Sequence, residues 1–255
     1  MRTIALVAVN TFKETVRNKI LYNILLVAAV VLLVALSFGD LSVMSRVQVM
    51  TDFGLATMSL TGLLLAVFIG VGMLGSEIAS KTIYGVLSKP VDRTQFLVGK
   101  FFGLLSTLIL NFLLIAVVFF GAITFLTGRM PDPAIFQAVF LLMIEMSVII
   151  AASMLCSTFT TPTLAAIFTL AFYAAGHLND LLSLSANAQV SPVLGGILKM
   201  INYILPNLEH FNIRTQVIFD LPVPEGLVGY AVLYGVLYSA LLLFFSSVLF
   251  SRKDL

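Results

Sequence analysis

Residues 77–100 read EIASKTIYGVLSKPVDRTQFLVGK, and their surroundings decide the fold. The stretch carries six charges (Glu77, Lys81, Lys89, Asp92, Arg93, Lys100), whereas the 19 residues before it, 58–76, carry none. A long apolar run follows as well. Apolar, polar, apolar in that order describes two membrane crossings joined by a segment in water. Residues 76–88 suit a short helix with both faces dressed: Ile78, Ile83, Tyr84, Val86 and Leu87 offer apolar contact, and Glu77, Lys81 and Lys89 offer charge. Pro90 ends it, because proline turns the preceding residue away from helix. A polar helix held between spans points to a soluble partner docking from the cytoplasm.

Composition extends this reading to the whole chain. Of 255 residues, 60% are hydrophobic and 10% charged, against about 25% charged in ordinary soluble domains. One soluble core of this size cannot hide that excess, so a bilayer is the solvent for the remainder. Six runs approach the ~20 apolar residues that a crossing helix needs: 20–38, 55–75, 103–126, 134–157, 162–181 and 228–250. Backbone groups in hydrocarbon must bond within their own segment, and no run alternates as barrel strands do. The expected fold class is therefore an all-α integral membrane protein with six transmembrane helices, one domain over 1–255.

Lys and Arg set the orientation. Arg2, Lys13, Arg17 and Lys19 precede the first span, Lys81, Lys89, Arg93 and Lys100 lie between spans two and three, and Arg252 and Lys253 follow the last. Only Arg46, Arg129, Lys199 and Arg214 fall on the other side. Both termini and the 76–93 loop are expected in the cytoplasm. The net charge of +2 suggests neither nucleic acid nor an acidic partner.

Residues 2–19 fit an amphipathic helix, with Ile4, Ala5, Ala8, Phe12 and Val16 on one face and Asn10, Lys13, Glu14 and Arg17 on the other. Such a helix suits the inner leaflet's interface. The long polar start and span-length apolar run do not read as a signal peptide. Residues 39–53 read as a mixed loop. Asp92 and Gln95 have capping-box spacing, so a new helix should start at Arg93. It enters span three with Gly99 and Gly103, a small-xxx-small pair for close helix packing. Residues 157–162 (STFTTP) form a tight turn. The segment 182–227 is expected outside, with an interfacial helix after Ser191-Pro192.

Glu145 is the one charge near mid-membrane. An ionisable group there is costly and marks a candidate intramembrane polar site. Two structural readings compete: a protonated side chain bonded to a neighbouring helix, or one facing a watery crevice. A single carboxylate with no basic partner makes a poor relay. His177, Asp180, Glu209 and His210 lie near the outer face, but their spacing matches no ligand pattern, and no metal site is assigned. Tyr230, Tyr234 and Tyr238 stripe span six, where packing or interface anchoring is the default. Cys156 is the sole cysteine, so no intrachain disulfide can form. The one Gly-Lys pair, Gly99-Lys100, has Thr94 and Phe101 where a P-loop needs Gly and Ser or Thr, and no G-x-S-x-G or H-E-x-x-H occurs. The chain is expected to be no enzyme.

The opening stretch also has relatives. Glu77, then Thr82-Ile83-Tyr84-Gly85-Val86-Leu87-Ser88-Lys89-Pro90-Val91-Asp92-Arg93, with Phe96 and Gly99-Lys100, resembles the cytoplasmic loop of type-2 permeases of ATP-binding-cassette (ABC) transporters. The similarity is greatest to the branch containing the permease that supports nitrous oxide reductase maturation. The basic amphipathic start, residues 157–165 (STFTTPTLA) and residues 205–211 (LPNLEHF) agree, so the resemblance covers nearly the whole chain. It implies a homodimer or pseudodimer with a separately encoded ATPase carrying ATP and Mg on the cytoplasmic face. It also implies that residues 1–19 form the elbow helix and 76–93 the coupling helix, with Glu77, Lys81, Thr82, Tyr84, Leu87, Pro90 and Arg93 meeting the ATPase. It leaves the substrate open.

The expected function is thus a permease subunit in the plasma membrane, moving solute or passing conformational signals to an extracytoplasmic protein. The alternative is an ATPase-independent secondary transporter or channel, which would need midplane charges or interrupted helices.

Overall fold

The computed structural model describes residues 2–38, 45–72, 92–178 and 205–252. The predicted coupling helix, with Glu77, Lys81, Thr82, Tyr84, Leu87 and Pro90, lies outside the described residues, as do Asp180, Lys199 and the expected helix after Ser191. Among the described residues the chain is helical with no strand: α1 (Arg2–Val16), α2 (Lys19–Phe38), α3 (Arg46–Leu64, continued by a π-helical stretch Leu65–Val71), α4 (Arg93–Thr127), α5 (Pro133–Phe159), α6 (Pro162–His177), a single 3-10 turn Leu208–Phe211, α7 (Arg214–Ile218) and α8 (Leu227–Arg252). Five of these helices, α2, α3 with its continuation, α4, α5 and α8, are long and apolar enough to cross a membrane.

Two helices differ from expectation. The second span starts nine residues early, at Arg46 rather than 55, because Ser45 and Gln48 form a capping box: Ser45 Oγ accepts from the Gln48 N–H at 3.2 Å and Gln48 Oε1 accepts from the Ser45 N–H at 3.1 Å. Much of the expected 39–53 loop is therefore the first turns of α3. Conversely, α6 has 16 residues, about 24 Å at 1.5 Å per residue, short of a ~30 Å hydrocarbon core. The expected end of the second span, residue 75, lies outside the described residues; the remaining boundaries agree to within about two residues, the tolerance of any helix assignment, except that α4 runs on from Arg93. Asp92 does not cap α4 through its side chain; Gln95 Nε2 donates to Asp92 Oδ2 at 3.1 Å instead.

The turns fix two ends. α1, the start of α4, the two-residue α5–α6 link (Thr160, Thr161) and the end of α8 share the basic end; residues 128–132 and 205–226 share the loop end. Of the five span-length helices, α3 and α5 are the most enclosed and α2 and α8 the least. Residues 145–154 of α5 are buried all round. α2 and α8 turn Leu26, Val30, Leu33, Leu237, Leu241 and Phe244 outward, as a surface facing lipid should. Four buried hydroxyls are satisfied within their own helices: Thr61, Thr107, Ser157 and Thr169 each donate to the carbonyl four residues back.

The N-terminal helix is not free at the surface. α1 lies along the first turns of α4, and the glycine pair makes this possible. A Cβ on Gly99 would sit 2.7 Å from Val7 Cβ, and one on Gly103 would sit 2.6 Å from Thr11 Cβ and 2.7 Å from the Ala8 carbonyl oxygen. The covered face of α1 thus centres on Val7, Thr11 and Thr15, and Ala5 is exposed. This shifts the expected apolar face by about one position: close approach to glycine favours small threonines over bulky apolar side chains.

Candidate functional site

Two regions carry the residues singled out in the sequence. At the basic end, Arg93 is the only predicted coupling residue among those described. Its guanidinium reaches across to the last turn of α8, donating to the Phe250 and Ser251 carbonyl oxygens at 3.1 and 3.3 Å and lying 6.0 Å from the Phe250 ring centre. Thr94 and Ser247 pair their hydroxyls at 2.8 Å, and Phe96 stacks on Phe250. A cation over the carbonyls that end a helix complements its dipole. Arg93 therefore ties the exit of the 77–92 segment to the final helix. Lys100, counted in the sequence among the loop cations, is buried within α4, its ammonium 5.4 Å from the Phe96 ring centre.

The second region surrounds Glu145. Glu145 lies 15 residues before Thr160 and His177 16 residues after Thr161, so the α5–α6 hairpin brings them level, about 21–24 Å from the turn. His177 Nε2 stands 3.5 Å from Glu145 Oε1. Its Nδ1 faces the Tyr173 carbonyl at 3.3 Å, its ring lies 4.5 Å from that of Tyr173, and the Tyr173 and Ser59 hydroxyls pair at 3.0 Å. Because α6 stops here while α5 continues to Pro133, a gap opens above His177. Phe211, Asn212, Ile213 and Arg214 roof it, leaving a cavity of about 140 Å³ with Glu145 in its wall. Arg214 Nε binds Asp52 Oδ1 at 2.6 Å at the rim.

Glu145 is wholly enclosed, and among the described residues neither of its carboxylate oxygens has a hydrogen-bond partner. The expectation that it lacks a basic neighbour fails, since His177 is that neighbour. The remaining outer-face residues separate. Glu209 accepts from Asn212 Nδ2 at 2.9 Å, and His210 packs on the Tyr230 and Tyr234 rings. The Tyr234 hydroxyl accepts the Asn207 N–H at 3.0 Å, so one member of the tyrosine stripe anchors the loop. Among the described residues no three His, Cys, Asp or Glu side chains converge as a metal site would require.

A family model described as ABC-2 family transporter protein matches residues 5–255. The chain belongs to that family. The ABC-2 match runs through α1, the 77–92 segment and α8, so it includes both regions just described, and it makes the protein a multi-pass membrane protein of a transporter family. No curated protein matches the chain.

Proposed function

We propose that this ABC-2 protein is the membrane permease subunit of an ABC transporter, driven by a separately encoded ATPase that holds ATP and Mg. The family match over residues 5–255 carries this reading. In it, residues 77–93 form the coupling helix, with Glu77, Lys81, Thr82, Tyr84, Leu87, Pro90 and Arg93 at the ATPase surface. The basic end is cytoplasmic, α6 with the residues after it completes a sixth crossing, and two copies assemble in the plasma membrane. The lineage nearest the nitrous oxide reductase maturation permease, and an extracytoplasmic partner at the loop end, belong to the same proposal.

Arg93 suggests how force would travel. ATP binding closes the ATPases, their motion reaches residues 77–93, and the Arg93 contacts pass it to α8 as well as along α4. Such a shift requires the nucleotide states to prefer different helix arrangements. ATPase stimulation in proteoliposomes tests this: the permease should raise its partner's ATP turnover, and Glu77→Lys should abolish the rise while the protein stays in the membrane. Undiminished stimulation by Glu77→Lys would defeat the proposal.

The pairing of buried Glu145 with the half-buried His177 favours a second reading, a transporter that needs no ATPase. ATP-independent solute flux by the purified chain would select it.

A further inference from the structure

We infer that the cavity between α3, α5 and α6 is a binding site for a small organic cation bearing a primary ammonium group, with Glu145 as its counter-ion. Glu145 is 0% exposed and neither of its oxygens has a hydrogen-bond partner among the described residues, the Nε2 of His177 standing 3.5 Å from Oε1. Two hydroxyls beside it are satisfied: Ser147 donates to the Ile144 carbonyl and Ser59 pairs with Tyr173. A buried carboxylate with unfilled acceptors is costly. A ligand carrying several N–H donors and a positive charge would supply both deficits at once.

The neighbouring groups fit an ammonium. The Nδ1 of His177 faces a backbone carbonyl, and in the tautomer that carries its proton there Nε2 is an acceptor. Nε2 and Glu145 Oε1, 3.5 Å apart, then present two acceptors to one donor group. The Ser59–Tyr173 hydroxyl pair offers another. Tyr173 and Phe211 line the cavity with aromatic side chains, and Leu55 and Leu142 suit a short hydrocarbon stem. The volume, about 140 Å³, suits an amine of a few carbons.

Charge at the opening agrees. Arg214 would repel a cation, but Asp52 holds its guanidinium. With Arg214 paired to Asp52, Glu145 is the one carboxylate among the described residues lining the cavity, and an ammonium would neutralise its charge. The opening lies toward the loop end, so the ligand arrives from the side opposite the basic end.

The site is read from this chain alone, so its test needs neither ATP nor an ATPase and stands apart from the permease proposal. The purified full chain in nanodiscs is titrated calorimetrically with methylammonium and ethylammonium chloride, with sodium chloride and tetraethylammonium chloride as controls. Saturable binding of the two primary amines, absent for both controls, is expected. Glu145→Gln, of the same shape, should weaken it about tenfold or more, the scale of a lost charge-assisted contact. No saturable binding, or equal affinity in Glu145→Gln, would overturn the assignment. So would heat that changes with pH but not with amine, which would give the site to a proton alone. Should Glu145→Gln fail to fold, His177→Gln decides: weaker amine binding supports the site, and unchanged affinity refutes it.

Discussion

Gly103 offers a quantitative test of how α1 is held. Its replacement by alanine would place a Cβ 2.6 Å from Thr11 Cβ and 2.7 Å from the Ala8 carbonyl oxygen, where carbon contacts normally settle near 3.5–4.0 Å. Neither neighbour can rotate away, because one is a Cβ and the other is backbone. α1 must therefore retreat by about 1 Å along its main line of contact. Overpacking of this kind costs about 1–3 kcal/mol, against about 1 kcal/mol that alanine gains over glycine within a helix. Gly121 lies on the same helix with nothing within 4 Å of its own added Cβ, so Gly121→Ala receives the helix gain alone. Denaturant unfolding of the detergent-solubilised protein should rank Gly121→Ala at or above wild type and Gly103→Ala below Gly121→Ala by about 1–3 kcal/mol. Equal stability for the two variants would refute docking of α1 through the glycine seam.

Other contacts make separate predictions. Arg93→Gln removes the guanidinium from the Phe250 and Ser251 carbonyls; about 1–2 kcal/mol of stability should be lost, and spin labels near residue 250 should report a looser α8 terminus. Tyr234→Phe leaves the Asn207 N–H without its acceptor, and about 1 kcal/mol should go with it, read as faster hydrogen exchange at Asn207. Asp52 and Arg214 are each more than a third exposed, so a double-mutant cycle between them should give a coupling of only about 0.2–1 kcal/mol, diminished by added salt.

The spans are legible because membrane crossing is a property of composition: runs of apolar residues have to be helices, and the ends of α2, α5 and α8 lie within about two residues of those expected. The start of α3 was missed although its signal, Ser45 with Gln48 three residues on, was present. An apolar count overlooks Thr51, Asp52 and Thr57 at the head of a span, whereas a capping box does not. Glu145 was legible as a lone charge in an apolar run. Its partner was not, because His177 was judged by nearness to an interface rather than by level. Counting equal distances from the turn at Thr160 and Thr161 would have paired them. The Ser59–Tyr173 and Asp52–Arg214 contacts join residues more than a hundred positions apart, and no local pattern encodes such distance. The same holds for Arg93 on α8: its charge suggested an external partner, while the structure gives its guanidinium internal acceptors.

The central claim concerns residues 77–93 and the protein they touch. A photocrosslinking amino acid at Tyr84 or Leu87, activated in native membranes and followed by mass spectrometry, addresses it most directly. The account predicts a crosslink to a soluble subunit bearing P-loop ATPase motifs, and none from the same probe at Phe125 near the loop end. Crosslinks from Tyr84 and Leu87 only to lipid, or to a protein outside the cell, would contradict it.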